Sequence, residues 1–320
     1  MGIYILKRFM MAIPTLIVAS IIIFLLVHIA PGDPVRVMLG PIQDQALVEK
    51  MQQRLGLDLP LHEQYFMWLG NVLRGDFGMS ISVQRGAPVA NLIAERFTVT
   101  LELVVFAMVV ALLIAIPTGI ISALKQNKPI DHAARVFALV GISIPNFFKG
   151  ILLILLFGVV FMKSWGAGGF VPLSDGLGPN LQRMLLPGIA LGSSYSAIVM
   201  RMMRSSMLDV MSKDYVRTSR AMGIKRSDVV VRDIVKNALI PVVTVIGNSI
   251  GYLLGGSVVT ESVFRLPGIG NLVLNAVFRR DFPVIQAVVL IIVLVRIVVN
   301  LGVDLTYAKL DPRIQYTSSE

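Results

Sequence analysis

Six apolar runs, separated by polar stretches of unequal length, set the pattern of this chain. They are Phe9–Ala30, Phe97–Leu124, Val136–Met162, Met184–Met200, Ala238–Thr260 and Phe282–Val303. About 20 apolar residues carry a helix across the hydrocarbon core of a bilayer. Only helices and closed barrels leave no backbone group unsatisfied in lipid. None of the runs alternates apolar with polar, so they predict helices. The fourth run is the shortest and contains Gly188, Gly192, Ser193 and Ser194, so its ends are the least sharply drawn. The first run follows Lys7 and Arg8, as in a signal peptide. Its 22 residues exceed the roughly 7–15 of a removable apolar segment, and no small-x-small site follows. It reads as a retained span.

Two polar stretches have helical periodicity of their own. In Pro31–Arg96, Leu47, Val48, Met51 and Leu55 recur at helical spacing, as do Leu61, Tyr65, Trp68, Leu69 and Val72. Gly56 and Gly75 stand where these helices should stop. A small helical cap is expected there, either packed on its own helices or open to a partner. Between Met200 and Pro241 lie nine cations: Arg201, Arg204, Lys213, Arg217, Arg220, Lys225, Arg226, Arg232 and Lys236. Four Asp offset them. Met207, Leu208, Met211 and Tyr215, then Val229, Val230, Ile234 and Val235, recur at helical spacing on either side of Gly223. A basic anchor for anionic lipid explains the charge. It does not explain a periodic element of this length, which predicts a surface that touches a partner.

Composition agrees with the membrane reading. The chain has 320 residues with mean hydropathy +0.78, 55% hydrophobic and 15% charged, against about 25% charged in soluble domains. A net charge of +10 suits a protein whose cytoplasmic loops gather Lys and Arg. With the N-terminus inside, the inside segments hold 16 Lys and Arg and the outside segments 11. Six of those 11 belong to Pro31–Arg96, long enough to cross regardless of charge, leaving 16 against 5. Both termini and the basic loop are therefore expected in the cytoplasm.

Several chemistries are excluded or disfavoured. The chain has no Cys, so no disulfide, Cys-held metal or thiol nucleophile is possible. Its three histidines, His28, His62 and His132, are far apart. No Gly precedes a Lys, so the phosphate-cradling G-x-x-x-x-G-K-[ST] loop is missing. No span contains two Asp or a Ser/His pairing at midplane depth, which disfavours an enzyme. Three ionisable residues fall within spans: Glu102, Lys149 and Arg296. Glu102 and Arg296 are near enough to an interface to snorkel. Lys149 is near the midplane and follows Pro145, which frees a helix carbonyl. It is expected to line a cavity or face a partner. Gly247, Gly251 and Gly255 are spaced by four, beside Asn248, Ser249 and Gly256. Such a stripe admits a close backbone approach, either along a translocation path or in ordinary packing.

DYVRTSRAMG at 214–223 resembles the cytoplasmic EAA-x-x-x-G signature of ABC importer permeases, in the D-Y-x-R-T-A-R-A-K-G form of the peptide/nickel branch. Ser219 and Met222 depart mildly from that form. APGDPV at 30–35, LGLDLPLHEQY at 55–65, GDFGMS at 75–80 and RFTVTLEL at 96–103 are similar to the same branch. So are KNALIPVVT at 236–244, LPGIGNL at 266–272, RRDFPVIQ at 279–286 and LDPRI at 310–314. The resemblance implies an all-α permease subunit with six transmembrane helices, both termini cytoplasmic, in a bacterial or archaeal inner membrane. It divides the chain into a first helix at 1–30, an extracytoplasmic helical segment at 31–96, a permease core at 97–306 with the coupling loop at 205–236, and a tail at 307–320. It implies a homologous second permease, two ATP-binding subunits that hold ATP and Mg, and an external solute-binding protein. This chain would hold no cofactor, metal or nucleic acid. Asp214, Tyr215, Arg217, Thr218, Arg220, Ala221, Gly223 and Arg226 would carry coupling to the ATPases. The Pro31–Arg96 cap and the 262–281 loop would meet the binding protein. A self-sufficient secondary carrier or channel is the alternative, but no inverted repeat or midplane carboxylate set supports it.

Overall fold

A computed structural model describes residues 2–29, 35, 45–54, 56–160 and 169–310, with side chains described except at 2–9, 47, 51, 54, 159, 160 and 304–310. Most of APGDPV, most of LDPRI and the end of the tail lie outside the described residues. The described elements are helices: α1 (Gly2–Ile29), α2 (Gln45–Arg54), α3 (Leu61–Leu73), α4 (Val89–Leu124), α5 (Pro129–Ser143), α6 (Asn146–Ile154), α7 (Leu177–Met211), α8 (Asp214–Ala221), α10 (Lys236–Phe264), α11 (Ile269–Arg279) and α12 (Phe282–Leu310). The short helix α9 (Arg226–Asp228) and a π-helical turn, Val229–Val235, lead into α10. Among the described residues there is no strand, only one isolated bridge between Met79 and Pro88.

Met10–Ile29 in α1, all of α4 and Phe282–Val303 in α12 are long and apolar enough to cross a membrane. The third apolar run of the sequence is not one straight helix. α5 and the helix starting at Asn146 qualify as a single span only together, bent by 99° at the break. The cause is Pro145: it forces Ile144 into extended backbone (φ −82°, ψ 123°) and has no N–H for Gly141. α7 and α10 contain the fourth and fifth runs, which glycine, serine and asparagine interrupt.

The chain forms two compact units, Leu6–Thr100 with Pro267–Ile297, and Met1–Ile5 with Leu101–Leu266 and Val298–Glu320. In the first, α2 and α3 end where the sequence places their stop glycines. Gly56 (φ 68°) and Gly75 (φ 81°) adopt the left-handed conformation that closes a helix. The backbone N–H of Leu57 reaches Gln52 O at 2.9 Å and that of Asp76 reaches Asn71 O at 2.9 Å, the long bond of a Schellman cap. α3 lies on α1 through aromatic rings: Phe24 is 5.5 Å from Tyr65 and 5.9 Å from Trp68 between centroids. Ser20 and Tyr65 share a hydrogen bond of 2.8 Å.

A single buried carboxylate organises the rest of this unit. Asp281, between α11 and α12, accepts from Ser80 Oγ at 2.5 Å and from the backbone N–H groups of Ile81 (3.2 Å), Ser82 (2.9 Å) and Val83 (2.8 Å). Ser82 Oγ donates to Arg279 O at 2.7 Å. The apolar layer beside it combines Val89, Leu92 and Ile93 with Ile269, Leu272, Ala276, Val284 and Val288.

In the second unit α4 and α7 approach almost backbone to backbone. A Cβ on Gly192 would overlap the carbonyl of Ala107, and one on Gly188 the ring of Phe106. One on Gly119 would be 2.8 Å from Met203 Cβ. Small residues at these crossings let the helices pack without side chains between them. The core below is built from Met200, Met203 and Met207 of α7 with Val216, Val229, Ile234, Ala238 and Val242.

Asp281→Ala removes the common acceptor of the 80–83 turn. The amides of Ile81, Ser82 and Val83 should then exchange with solvent about 10–100-fold faster, as expected for losing bonds to a charged group. Hydrogen-exchange mass spectrometry on the purified protein checks this. Asp281→Asn, which keeps one acceptor oxygen, should fall between the two.

Candidate functional site

The basic stretch is two long helical arms joined by a short crosspiece. α7 runs without a break from Leu177 to Met211, and the second arm continues from Arg226 into α10. Between them, α8 buries one residue, Val216, which sits with Val229 and Ile234. Asp214, Tyr215, Arg217, Thr218, Arg220, Ala221 and Gly223 are exposed, as is Arg226 on the second arm. Met222 and Ile224 are exposed beside them. Exposed Met, Tyr and Arg together form the kind of surface that protein interfaces favour. The Asp214–Arg217 pair at 3.7 Å is fully in solvent and contributes little.

α8 ends on the glycine that the sequence singled out. Gly223 has φ 74°, its N–H reaches Arg220 O at 3.1 Å, and the N–H of Ile224 reaches Ser219 O at 3.3 Å. This is again a Schellman cap. A Cβ here would touch nothing within 4 Å, so the demand for glycine is conformational rather than spatial.

Arg204 departs from the sequence reading. It does not belong to the exposed basic surface but turns inward to Asp131. Its Nε and Nη2 donate to Asp131 Oδ1 and Oδ2, each at 2.8 Å. Asp131 is fully buried and also accepts from Ser122 Oγ at 2.6 Å and Asn127 N at 2.9 Å. Arg135 approaches the same carboxylate at 3.6 Å. One carboxylate thereby joins the end of α4, the turn after it, the start of α5 and the arm α7. Sequence reasoning missed Asp131. The available signal was an acid in the first turn of a helix following the Asn127-Lys128-Pro129 turn.

Lys149 fills the gap that Pro145 leaves. Its Nζ donates to Gly141 O at 3.2 Å, to Ser193 Oγ at 3.0 Å and to Ser194 Oγ. Ser194 Oγ also reaches Gly141 O (3.2 Å) and donates to Asn146 Oδ1 (2.7 Å). Beside this cluster is a cavity of about 200 Å³ lined by Lys149, Ser193, Ser196 and Thr118 together with Phe137, Ile144, Met200 and other apolar groups. The other two intramembrane charges differ. Glu102 is half-buried and accepts from Asn180 Nδ2 at 3.0 Å, while Arg296 is exposed on α12.

The glycine stripe divides. A spacing of four drifts by about 40° per step around a helix, so Gly247 and Gly255 do not share a face. Gly247 is buried against Val303, and Ser249 is buried with its Oγ on Val245 O at 2.6 Å. Gly251 is half-buried, and Gly255 has nothing within 4 Å of a built Cβ. The face that opens outward carries Asn248, Tyr252, Gly255 and Val259, with Tyr252 64% exposed.

Residues 115–316 match the family described as the binding-protein-dependent transport system inner membrane component, and residues 1–104 match its N-terminal counterpart. This chain belongs to that family. The glutathione transport system permease protein GsiC of Escherichia coli K12 is 42% identical over 98% of this chain and 99% of its own. GsiC of Shigella dysenteriae has the same figures. Among solved structures, the inward-facing MetNI methionine ABC transporter shares the fold, with TM-score 0.58, 16% identity, and 69% of this chain and 96% of that chain covered. An amino acid ABC transporter crystallised with histidines gives 0.51 at 17% identity, covering 68% and 94%.

The protein is a multi-pass inner-membrane permease subunit of an ABC importer. In the permease, the Asp131–Arg204 pair lies outside the spans read from the sequence, at the root of the arm that carries α8. The two guanidinium hydrogen bonds hold the Asp131 carboxyl well below its usual range against the opposing effect of burial, helped by Ser122 and Asn127. The same bonds raise Arg204. A depressed carboxylate stabilises the fold fully above its unfolded pKa, near 4 for an aspartate, and loses that contribution as pH falls below it. The purified permease complex should therefore lose thermal stability below about pH 4. Asp131→Ala should cost about 3–5 kcal/mol at neutral pH because it strands a partly buried guanidinium. The difference in melting temperature between wild type and this variant should shrink as pH drops through that window.

Proposed function

We propose that this permease forms half of the translocation path of an ATP-driven importer and takes its power stroke through α8. In this reading it crosses the inner membrane six times with both termini in the cytoplasm. It pairs with a homologous second permease, and two cytoplasmic ATP-binding subunits hold ATP and Mg and grip Tyr215, Arg217, Thr218, Arg220, Ala221 and their flanks Asp214, Gly223 and Arg226. This chain holds no cofactor and hydrolyses nothing. One observation carries the reading: α8 buries only Val216, whereas both of its arms run on into long helices. Such an element presents its surface outward and passes force inward as a rigid-body shift.

Other observations support the remaining roles. Asn248 and Tyr252 are exposed on a long helix of a membrane protein, where polar groups face a path or a partner rather than lipid. We assign that face of α10, with Gly251 and Gly255, to the path between the two permeases, and Gly247 and Ser249 to packing behind it. The cap at 31–96 and the segment from 267 to 281 share one compact unit tied by Asp281, consistent with a joint platform for the solute-binding protein. A peptide or related small solute is the cargo class, supported by relatives named for glutathione transport.

Gly223→Val forces a β-branched residue into the left-handed region, at a cost of about 1–2 kcal/mol. In proteoliposomes holding all subunits and the binding protein, this variant should insert and assemble normally. ATP hydrolysis should continue while uptake falls at least tenfold. Uptake at wild-type stoichiometry, or uptake by the lone chain without companion subunits, would overturn the assignment.

A further inference from the structure

We infer that the cavity beside Lys149 is a carboxylate-binding site for the acidic end of the transported solute. The inference rests on the importer reading above and names a recognition chemistry for the permease itself.

Lys149 is half-buried on a bent span, and among the described residues its partners are one carbonyl and two hydroxyls. A buried cation is ordinarily matched by an anion, because neutral groups replace only part of the lost hydration. No carboxylate pairs with this ammonium among the described residues. The geometry leaves room for one on the cavity side. Lys149 and Ser193 line the cavity. Ser194 does not; it is held behind by Gly141 O and Asn146 Oδ1.

This asymmetry says which bond an arriving carboxylate replaces. An ammonium has three donors, and all three are engaged. Ser194 and Gly141 O are bound into the helix break and cannot leave without exposing it. Ser193 Oγ donates to Ala190 O at 3.2 Å and keeps that bond when Lys149 turns away. Exchange of Ser193 for a carboxylate oxygen therefore replaces a neutral acceptor by a charged one, a stronger bond, and strands no group. The cavity of about 200 Å³ is below the roughly 300–1,000 Å³ of sites that enclose a whole small ligand. It fits one terminal group, with Phe137, Ile144 and Met200 against its apolar part.

A carboxylate also reaches this depth as a bilayer fatty acid, so the test separates the two sources. Uptake of a tripeptide and of its C-terminal amide is measured in proteoliposomes that hold the complete transporter and are free of fatty acid, for wild type, Lys149→Met and Ser193→Ala. The same binding protein is used throughout, so its own preference cancels when each variant is divided by wild type. Lys149→Met should lower kcat/KM for the acid about tenfold more than for the amide, the loss of one charge-assisted bond, since the lost hold on Gly141 O weighs on both peptides alike. Ser193→Ala should preserve or raise the acid-to-amide ratio. An equal fall for acid and amide in Lys149→Met, or no fall for either, overturns the proposal. So does inhibition of uptake by added oleate that vanishes in Lys149→Met while the acid-to-amide ratio stays flat, which assigns the site to lipid. Wild-type complex that moves neither peptide would count instead against the importer reading.

Discussion

Two polar clamps join α5 to α7, and the packing of these helices is built around them. At one end Arg204 grips Asp131 with both arms of its guanidinium. At the other, Lys149 and Ser194 close on the carbonyl of Gly141. Between the clamps the interface is methyl, thioether and glycine: Ala138, Ala197, Met200, and Gly141 facing Ser193 O. Apolar contacts alone allow helices in a membrane to slide, since lipid tails are as good a solvent as a leucine. A directional bond at each end removes that freedom. α5 and the arm of α8 are thus one mechanical piece.

The break itself follows from chemistry. Pro145 removes the N–H that Gly141 O would have used, and an unmatched carbonyl in lipid costs several kcal/mol. Lys149, four residues beyond the proline, brings a donor back, and Asn146 anchors the serine that assists it. The charge at the centre of the span therefore has a structural task as well as the one assigned to its cavity face. A kink, a cation and a pocket come from one residue pair.

Much of this was legible in the sequence because the signals were local. Gly56, Gly75 and Gly223 each stop a helix where periodicity said it must stop, and each has positive φ. The oddity of Lys149 after a proline pointed to the cavity. The missed features are long-range. Asp131 drew no reading and Asp281 stood only within the RRDFPVIQ string, for each has a decisive partner 73 or about 200 residues away in the chain. Arg204 was indistinguishable from its eight basic neighbours until a carboxylate was found facing it. The glycine stripe divides for a geometric reason: spacing by four keeps nearly one face over a single turn but drifts by about 80° over two, so Gly247 and Gly255 part company.

The tie between Ser80 and Asp281 spans 201 residues. During synthesis the turn at 80–83 emerges long before its acceptor exists. At roughly 5–20 residues per second, the ribosome needs about 10–40 s to reach Asp281. Over that interval the exposed amides of the turn have only water to satisfy them, so maturation of this unit is timed by the translation of the final helix pair rather than by any local folding rate.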